Sequence, residues 1–284
     1  MTPTVTVIVA ARNERERLPR CIDALRRQTF GRTQFEIVVV NDGSSDGTRE
    51  WALAQDDLQT LCVDEADPYR ARNAGAAKSD AALLAFTDAH CTAAPNWLER
   101  LCAAFADEHV GVATGRLGYR DDASALVRLY GYHHATKMAF IQRRGIEQAR
   151  FGHAANLAIR RSLFDACDGF RALPLPGDTD LLQRIHTHHP QTLVHYEPTA
   201  VVNRQSTRSL RDLLHNTIRH ARLNHRLAAA GKFRTLTLQE RRAVFAACRR
   251  EYTLSALDCA ALAGTLAMTT LAYNGARWQR RRSA

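Results

Sequence analysis

The sequence predicts an α/β protein in which a mostly parallel sheet is flanked by helices and followed by a C-terminal helical extension. Short β-branched runs such as VTVIVA and FEIVVV alternate with segments whose apolar residues recur at helical spacing. Polar clusters stand where three of these runs end. From Arg204 onward the chain is helical in composition and strongly basic. Strands that alternate with helices are typical of a parallel sheet covered on both faces.

The first two predicted strands come early, at residues 5–10 and 35–40. We expect Asn13 to cap the next helix, in which apolar residues recur at helical spacing from Leu18 onward. The second strand ends in NDGSSDGT, a cluster of residues that favour turns. These two strands and the helix between them predict the first β-α-β unit of the sheet.

A further apolar run, LLAFT, ends in Asp88, Ala89 and His90. Alternate residues of an extended chain point to the same side, so Asp88 and His90 aim two ligand-type side chains at one point. In parallel sheets, ligands bind at the carboxyl ends of the strands, and the three polar clusters all lie there. The sequence therefore predicts a binding site at this edge of the sheet.

Charge and cysteine usage narrow the class of protein. The 284 residues carry a formal net charge of +10, which indicates an anionic partner: phosphate groups, nucleic acid or an acidic membrane surface. The 7 cysteines are scattered and form no C-x-x-C pair, which argues against a disulfide framework and for a reducing compartment. The N-terminal residues MTPTVTVIVAARNE lack the pattern of a secretory signal, so we expect a cytoplasmic protein.

Four segments between residues 4 and 205 follow one another in an order and at a spacing that form a recognisable set. They are VTVIVAARNE, IVVVNDGSSDGT, ARNAGAAKSDAALLAFTDAHC and ANLAIRRSLFDACDGFRALPLPGDTDLLQRI. Together they resemble a family 2 glycosyltransferase with the GT-A fold. The resemblance implies an enzyme of the hexosyltransferase type. Such an enzyme moves a sugar, with inversion, from a nucleotide-sugar donor to an acceptor hydroxyl, usually with the help of a divalent metal ion.

The resemblance also implies a division into domains. Residues 1–205 are expected to form a GT-A catalytic domain, in which residues 1–115 are the nucleotide-binding half and residues 116–205 the acceptor half. Residues 206–284 are expected to form a basic helical extension with an apolar terminal helix. The boundary stands where the composition of the chain changes.

Seven positions match the family's donor-binding segments. They are Ala10, Arg12, Glu14, Asp42, Arg72, Asn73 and Asp88. In the family, the acidic turn that Asp42 matches recognises uracil, so the resemblance favours a UDP-sugar; the alternative is a simple Asx turn with Gly43. The family usually has Pro and an aromatic residue where this chain has Ala10 and Arg12. The guanidinium of Arg72 suits a diphosphate, because it forks onto phosphate oxygens.

The segment TDAH matches the metal motif, D-x-D in most of the family. His90 takes the second place, and this D-x-H variant is similar to that of the polypeptide N-acetylgalactosaminyltransferases, which use manganese. Asp88 and His90 are therefore expected to bind a divalent metal, with Mn²⁺ favoured over Mg²⁺ because imidazole is a poor ligand for Mg²⁺. The alternative is a solvated turn. Asn203 stands where the family often supplies a third ligand, a His, so the third ligand is Asn203 or none.

The segment PGDTD matches the family's E-D pair, whose Asp acts as general base. Gly177 replaces the Glu, and Asp178 keeps the position of the base. The alternative reading of Asp178 is a helix cap. Asp180 is expected to be structural or to face the acceptor. His153 and Asn156 match the loop and strand on the acceptor side and are expected to contact donor sugar or acceptor; the alternative there is a plain turn and strand.

The apolar segment Tyr252–Tyr273 is about as long as a membrane span requires, but Asp258 and many alanines dilute it. One hypothesis is a helix packed on the protein's own core. The other is membrane contact, which Trp278 and its flanking arginines favour because they resemble an interfacial anchor. We expect a protein held peripherally at the inner face of the cell membrane, acting on a lipid-linked or membrane-proximal acceptor.

Two other functions fit parts of the sequence. A sugar-phosphate nucleotidyltransferase of related fold needs a glycine-rich phosphate loop near its N-terminus, and VAARNERERL has no glycine. A basic nucleic-acid-binding protein without catalysis would fit the charge. However, residues 204–250 have few aromatic residues for base stacking and form no recognisable module, so no nucleic-acid partner is expected. A family member that has lost its activity is a third hypothesis, against which Asp88 and Asp178 argue.

Overall fold

The computed structural model of the chain describes residues 4–146, 152–172, 176–229 and 235–281. Its strands are β1 (Val5–Ala11), β2 (Phe35–Asp42), β3 (Gln59–Val63), β4 (Leu83–Asp88), β5 (Cys91–Ala93), β6 (Val110–Tyr119), β7 (Asn156–Arg160) and β8 (Leu193–Arg204). Its helices are α1 (Leu18–Arg26), α2 (Thr48–Leu53), α3 (Pro68–Ala77), α4 (Trp97–Ala103), α5 (Ala125–Arg144), α6 (Arg161–Ala166), α7 (Gly177–His188), α8 (Leu210–Ala229), α9 (Leu238–Glu251) and α10 (Ala256–Arg281).

The described strands form one sheet in the order β3-β2-β1-β4-β7-β6-β8-β5. Strand β1 runs parallel to β2 and β4, and β2 runs parallel to β3. Strand β7 runs antiparallel to both β4 and β6, so the sheet is mixed rather than mostly parallel beyond β4. The predicted α/β class, with a C-terminal helical extension, is confirmed. The ends of β1, β2 and β4 stand side by side, because Ala10 pairs with both Val40 and Asp88.

The sheet separates two apolar layers, because successive side chains of a strand point to opposite faces. Val7 and Val9 of β1 pack into one layer together with α1, whereas Ile8 packs into the other together with α3 and α7. Complete burial of such a side chain contributes about 1.5–3 kcal/mol relative to leaving it exposed. The parallel strands are therefore held from both faces, which fixes the position of their carboxyl ends.

The connection from β1 to α1 differs from the prediction. Asn13 does not cap α1, which begins at Leu18 with Arg17 before it. Instead, Asn13 has a positive φ of 54°, and its side-chain oxygen accepts a hydrogen bond from the backbone N–H of Ser45 at 2.9 Å. The backbone N–H of Asn13 donates in turn to Ser44 Oγ at 3.0 Å. The side chain of Asn13 thus ties together the loops that follow β1 and β2.

The chain divides into two compact units. The first comprises residues 1–117, 151–173 and 177–203, and the second comprises residues 118–150, 174–176 and 204–284. The first unit ends close to the predicted boundary, but α5, which lies in the predicted acceptor half, groups with the C-terminal helices. The functional division of residues 1–205 into two halves stays a prediction.

The second unit is built from α5, α8, α9 and α10. Leu129 of α5, Cys248 of α9 and Leu262 of α10 share a buried cluster. The rings of Tyr132 and Tyr252 stack beside it with their centroids 4.2 Å apart. Among the described residues, one helix, Ala256–Ala276, is long and apolar enough to cross a membrane, and only 17% of its most apolar window is buried.

Candidate active site

The structure brings Asp88 and His90 together at the end of β4, as their spacing predicts. Asp88 is the last residue of β4, and His90 lies in the turn that leads to β5. Asp88 Oδ2 lies 3.7 Å from His90 Nε2. Both side chains are partly exposed, so the pair is accessible from solvent. Two ligand-type atoms of different chemistry therefore share one small region at the carboxyl edge of the sheet.

Cys91 adds a third donor atom that sequence reasoning missed. Ligand atoms of Asp88, His90 and Cys91 all lie within 4.8 Å of one another. The alternation of an extended strand places residues 88 and 91 on opposite sides, but the chain turns between β4 and β5, so the alternation does not extend to Cys91. Asn203, the residue predicted as a third ligand, lies beside β5, where its backbone oxygen accepts from Thr92 Oγ1 at 3.4 Å. Its role as a ligand stays a prediction.

Glu14, predicted to contact the nucleotide, lies against His90. Its Oε1 is 3.7 Å from His90 Nδ1, on the side of the imidazole ring away from Asp88. Its Oε2 accepts a hydrogen bond from Arg17 Nε at 2.5 Å. Burial raises the pKa of Glu14, and the hydrogen bond from Arg17 opposes this rise. At 3.7 Å the Glu14 carboxylate lies beyond hydrogen-bond distance of Nδ1, on the side of the ring opposite to Nε2, which faces Asp88.

Arg72 is buried and oriented toward Asp88. One terminal nitrogen of its guanidinium donates to Asp88 Oδ1, and the other donates to the backbone oxygen of Pro68 at 3.1 Å. Its Nε has no hydrogen-bond partner among the described residues. One oxygen of Asp88 thus accepts a hydrogen bond from the guanidinium of Arg72, and the other faces His90. The unpartnered Nε is itself buried, and the contact of Arg72 with a diphosphate stays a prediction.

The donor set at this edge fits a divalent cation. It combines a carboxylate oxygen of Asp88, an imidazole nitrogen of His90 and the thiol sulfur of Cys91. Nitrogen and sulfur ligands suit transition-metal ions, whereas Mg²⁺ prefers oxygen ligands alone. Glu14 places a second carboxylate near the imidazole, 3.7 Å from Nδ1. The residues present are therefore chemically suited to the metal that the resemblance implies.

Asp178 lies in the first turn of α7, where three donors hold its carboxylate. Oδ1 accepts from the backbone N–H of Thr179 at 2.8 Å and from the hydroxyl of Tyr69 at 3.3 Å. Oδ2 accepts from the backbone N–H of Ala154 at 3.2 Å. Burial raises the pKa of Asp178, while the two backbone N–H groups, Arg72 and Tyr69 oppose the rise. A carboxylate with a raised pKa is the stronger base.

The structure leaves no space for a side chain at position 177, where the family has Glu and this chain has Gly. A Cβ at this position would lie 2.5 Å from the backbone oxygen of Arg171 and 2.9 Å from the ring of Tyr69. No real Cβ approaches other atoms so closely, so a glutamate does not fit here without movement of the backbone. Gly177, in place of the family's Glu, therefore fits the close approach of Arg171 and Tyr69 to this position.

Asn156 is a core residue, and its predicted contact with donor sugar or acceptor stays a prediction. Its side chain is 0% exposed. Its oxygen accepts from Trp97 Nε1 at 2.8 Å, and its nitrogen donates to the backbone oxygens of Arg116 and Ala200, each at 3.0 Å. These bonds join α4, β6 and β8 to β7. Both hydrogen-bonding atoms of the amide therefore have partners within the protein.

Asp180 has a structural role, one of its two predicted roles, and its contact with the acceptor stays a prediction. It is buried, and its Oδ2 accepts from Arg184 Nε one helical turn later at 2.7 Å. Arg184 in turn donates to the backbone oxygens of Cys167 and Gly169. The pair therefore fastens α7 to the turn after α6. This contact stabilises the helix whose first turn carries Asp178.

Two predicted nucleotide contacts are engaged with the backbone. The amide of Asn73 donates to the oxygen of Phe170 at 2.7 Å and accepts from its N–H at 3.0 Å. Asp42 is buried, and its Oδ1 accepts from the N–H groups of Glu65 and Ala66 at 2.8 and 2.9 Å. These bonds give Asn73 and Asp42 structural tasks at the edge of the sheet, and their nucleotide contacts stay predictions.

The remaining predicted residues lie at the same edge or near it. Ala10 is half-buried at the end of β1, and Arg12 is exposed just beyond it. His153 is half-buried, and its backbone oxygen accepts from the N–H of Asn156 at 2.9 Å. Their contacts with donor or acceptor stay predictions.

Comparison with known proteins gives the family. The sequence model described as "Glycosyl transferase family 2" matches residues 6–168. The chain is 31% identical over 170 residues to "Glycosyltransferase AglE" of Haloferax volcanii, a match that covers 57% of this chain and 54% of that protein. It is 38% identical over 120 residues to "Validoxylamine A glucosyltransferase" of Streptomyces hygroscopicus subsp. jinggangensis, covering 40% of this chain and 28% of that protein. The chain thus spans about half the length of these relatives or less.

A solved structure shows the same fold. The mannosyltransferase PcManGT from Pyrobaculum calidifontis, in complex with GDP-Man and Mn²⁺, superposes with a TM-score of 0.67 at 21% identity, covering 99% of this chain and 87% of that one. At this identity the likeness shows the fold alone. The family match covers more than half of the chain and includes the β1, β2 and β4 edge described above. The chain therefore belongs to glycosyl transferase family 2 and has the GT-A fold.

Proposed function

We propose that the chain transfers a sugar from a nucleotide-sugar donor to an acceptor hydroxyl in a single inverting displacement, with Asp178 as the general base. One observation carries the proposal. A continuous series of contacts runs from Asp178 to the hydroxyl of Tyr69, from the ring of Tyr69 to Arg72 at 5.6 Å, and from Arg72 to Asp88. A base and a diphosphate-binding edge are thus held by one set of side chains.

The reaction follows from the roles of these groups. The acceptor hydroxyl forms a bond to the anomeric carbon while the bond from that carbon to the diphosphate breaks on the opposite face. The proton of the hydroxyl passes to Asp178. A well-placed base contributes on the order of 10²–10⁴ in rate, and the raised pKa of Asp178 suits this task. Arg72 holds the diphosphate side with its free N–H and its positive charge.

The metal proposed for this site is a divalent ion, with Mn²⁺ favoured over Mg²⁺. Asp88 and His90 would hold it, and Cys91 is the third candidate ligand. When bound, such an ion neutralises negative charge that develops on the diphosphate leaving group. The mixed oxygen, nitrogen and sulfur donors support a transition-metal ion, and the PcManGT structure contains Mn²⁺.

The proposed donor is a UDP-sugar. Its support is the position of Asp42 at the end of β2, matching the turn that recognises uracil in the family. The PcManGT structure contains GDP-Man, so a guanosine donor is the competing candidate for this fold.

The proposed acceptor is lipid-linked or membrane-proximal, with the protein held peripherally at a membrane. Within the second unit, α10 exposes apolar side chains along its length, with Leu257 80% and Leu271 72% exposed. Asp258, which weakened the membrane hypothesis, lies in the first turn, where its carboxylate accepts from the N–H of Ser255 at 3.1 Å. It therefore caps the helix rather than interrupting the apolar face. The side chains of Trp278 and its flanking arginines lie outside the described part of the chain.

Replacement of Asp178 by asparagine tests the proposed base. Asp178→Asn keeps the size of the side chain but removes the group that takes the proton. We expect donor turnover to fall by at least about a hundredfold, with donor binding measured by calorimetry changed by less than about threefold. Asp165→Asn, at an exposed carboxylate of α6, is the matched control and should behave like the unmodified protein. Near-normal turnover of Asp178→Asn would remove Asp178 from the role.

A further inference from the structure

The position of Tyr69 is fixed by its local structure. It is the second residue of α3, and its backbone N–H donates to the side chain of Asp67, the N-cap, at 2.8 Å. Its ring is 8% exposed and packs on Phe170 with the centroids 5.8 Å apart. The ring is therefore held both by the start of its helix and by the apolar layer beneath the sheet.

The same ring lies against the start of α7. A Cβ at Gly177 would lie 2.9 Å from it, so no side chain at position 177 separates Tyr69 from the helix. The hydroxyl reaches Asp178 Oδ1 at 3.3 Å, and the guanidinium of Arg72 lies 5.6 Å from the ring centroid. Tyr69 thus contacts both the proposed base and the residue that binds Asp88.

The hydroxyl of Tyr69 acts as a donor to Asp178. Burial and the neighbouring carboxylate of Asp178 raise the pKa of Tyr69 well above its usual range, although Arg72 opposes the rise. The phenol therefore stays protonated at every pH at which the enzyme would work. Within the described residues, the other two donors to Asp178 are backbone N–H groups, so Tyr69 supplies the one side-chain donor.

We propose that Tyr69 is a positioning residue for the transfer reaction: its hydroxyl orients the carboxylate of Asp178 toward the acceptor hydroxyl, and its ring keeps that carboxylate in register with Arg72. The inference rests on the proposed function, because it assigns to Asp178 the role of base. It goes beyond that function by naming Tyr69 as the side chain that holds the base. Position 177, next to the base, has no room for a side chain that could do so.

Tyr69→Phe separates positioning from packing, because it keeps the ring and removes only the hydroxyl. If Tyr69 orients Asp178, kcat for donor turnover should fall about tenfold while KM for the donor changes by less than about twofold, as one hydrogen bond to a charged group is lost. Calorimetric binding of the donor nucleotide should be unchanged within the same twofold limit. A residue that only packs would leave both kinetic parameters unchanged.

The pH profile gives a second readout. The groups that face Asp178 are Tyr69 and Arg72 from α3, and the backbone N–H groups of Ala154 and Thr179. The bond from Tyr69 favours the charged form of Asp178, so its loss raises the pKa of Asp178. The acid limb of the kcat profile should therefore move to higher pH by about one unit in Tyr69→Phe. Tyr132→Phe, in a stacked ring pair of the second unit, is the control and should match the unmodified protein.

The outcomes separate this inference from the proposed function. If the unmodified protein turns over donor and Asp178→Asn does not, but Tyr69→Phe keeps a normal kcat and an unmoved acid limb, the positioning role is wrong and the base remains. If Asp178→Asn keeps normal turnover, the proposed base is wrong and the role of Tyr69 is wrong with it. A tenfold loss of kcat with the shifted acid limb supports both.

Discussion

Asp88, at the end of β4, and His90, in the turn after it, are each surrounded by charged side chains from other parts of the chain. Asp88 directs one oxygen to Arg72 and the other toward His90, whose second nitrogen faces Glu14. Each group is thus held by a neighbour of opposite or complementary charge. The imidazole thus lies between two carboxylates, each 3.7 Å from one of its nitrogens.

Replacement of His90 tests the metal site at the scale of a single residue. His90→Ala removes the imidazole ligand and should weaken Mn²⁺ binding at least about tenfold, measured by calorimetry on the full chain. His90→Asp should restore binding and increase the tolerance for Mg²⁺, because the new ligand is oxygen. His195→Ala, at an exposed histidine of β8, is the control. Unchanged Mn²⁺ affinity in His90→Ala would show that the imidazole is not a ligand.

The sequence predicts which site residues lie close together only where the contact is local in the chain. Asp88 and His90 share a side because alternation within a strand is a local property. Tyr69, by contrast, reaches Asp178 across 109 positions of the chain, and only the packing of α3 on α7 brings them together. Asn156 was named because it matches the family's acceptor-side strand, but its bonds to Trp97 and to two backbone oxygens are tertiary and have no local signal.

At the scale of elements, the start of α7 is the most constrained part of the site. Gly177 has no room for a side chain, and Asp178 follows it directly. The position of the base thus depends on the fit between α7 and the ring of Tyr69. Strands β1, β2 and β4 and helix α1 were predictable because their apolar periodicity is a local signal. The reversal of β7 was not, because strand direction depends on the connection and on tertiary pairing.

Gly177→Ala tests this fit. The added Cβ would lie 2.5 Å from a backbone oxygen, so α7 or its neighbour must shift. We expect a loss of about 1–3 kcal/mol in the free energy of unfolding, measured by chemical denaturation, and a fall in donor turnover. Gly264→Ala is the matched control, because no atom lies within 4 Å of the new Cβ. It should be neutral or stabilising by up to about 1 kcal/mol, since alanine favours a helix interior. Equal stability of the two variants would contradict the packing described at Gly177.

At the scale of the whole molecule, positive charge and an exposed apolar helix occur in one chain. The formal net charge is +10, and α10 exposes apolar side chains along much of its length. Neither property is needed to fold the sheet of the first unit. Together they are typical of proteins that bind anionic membrane surfaces, where apolar burial and charge attraction add. The composition of the tail predicted the helix, but which of its faces is exposed follows only from packing within the second unit.

Vesicle binding tests this property. The full-length protein should sediment with vesicles that contain anionic phosphatidylglycerol, and less so at high salt, because salt screens the charge attraction. The double substitution Leu257→Asp with Leu271→Asp should reduce binding at least about tenfold, since it places charge on the apolar face. Leu53→Asp in α2, at a leucine that is 54% exposed, is the control. Equal binding of all three proteins, or no binding by any, would show that α10 does not contact lipid.

Donor hydrolysis followed by NMR tests most directly whether the protein catalyses an inverting, metal-assisted transfer from a UDP-sugar. The full-length protein is incubated with UDP- and GDP-sugars, each with Mn²⁺, with Mg²⁺ and with chelator, and the anomer released at early times is read from its proton signals. We predict hydrolysis of a UDP-sugar that is fastest with Mn²⁺ and that releases the inverted anomer first. Release of the retained anomer, equal rates in chelator, or turnover of GDP-sugars alone would contradict the account.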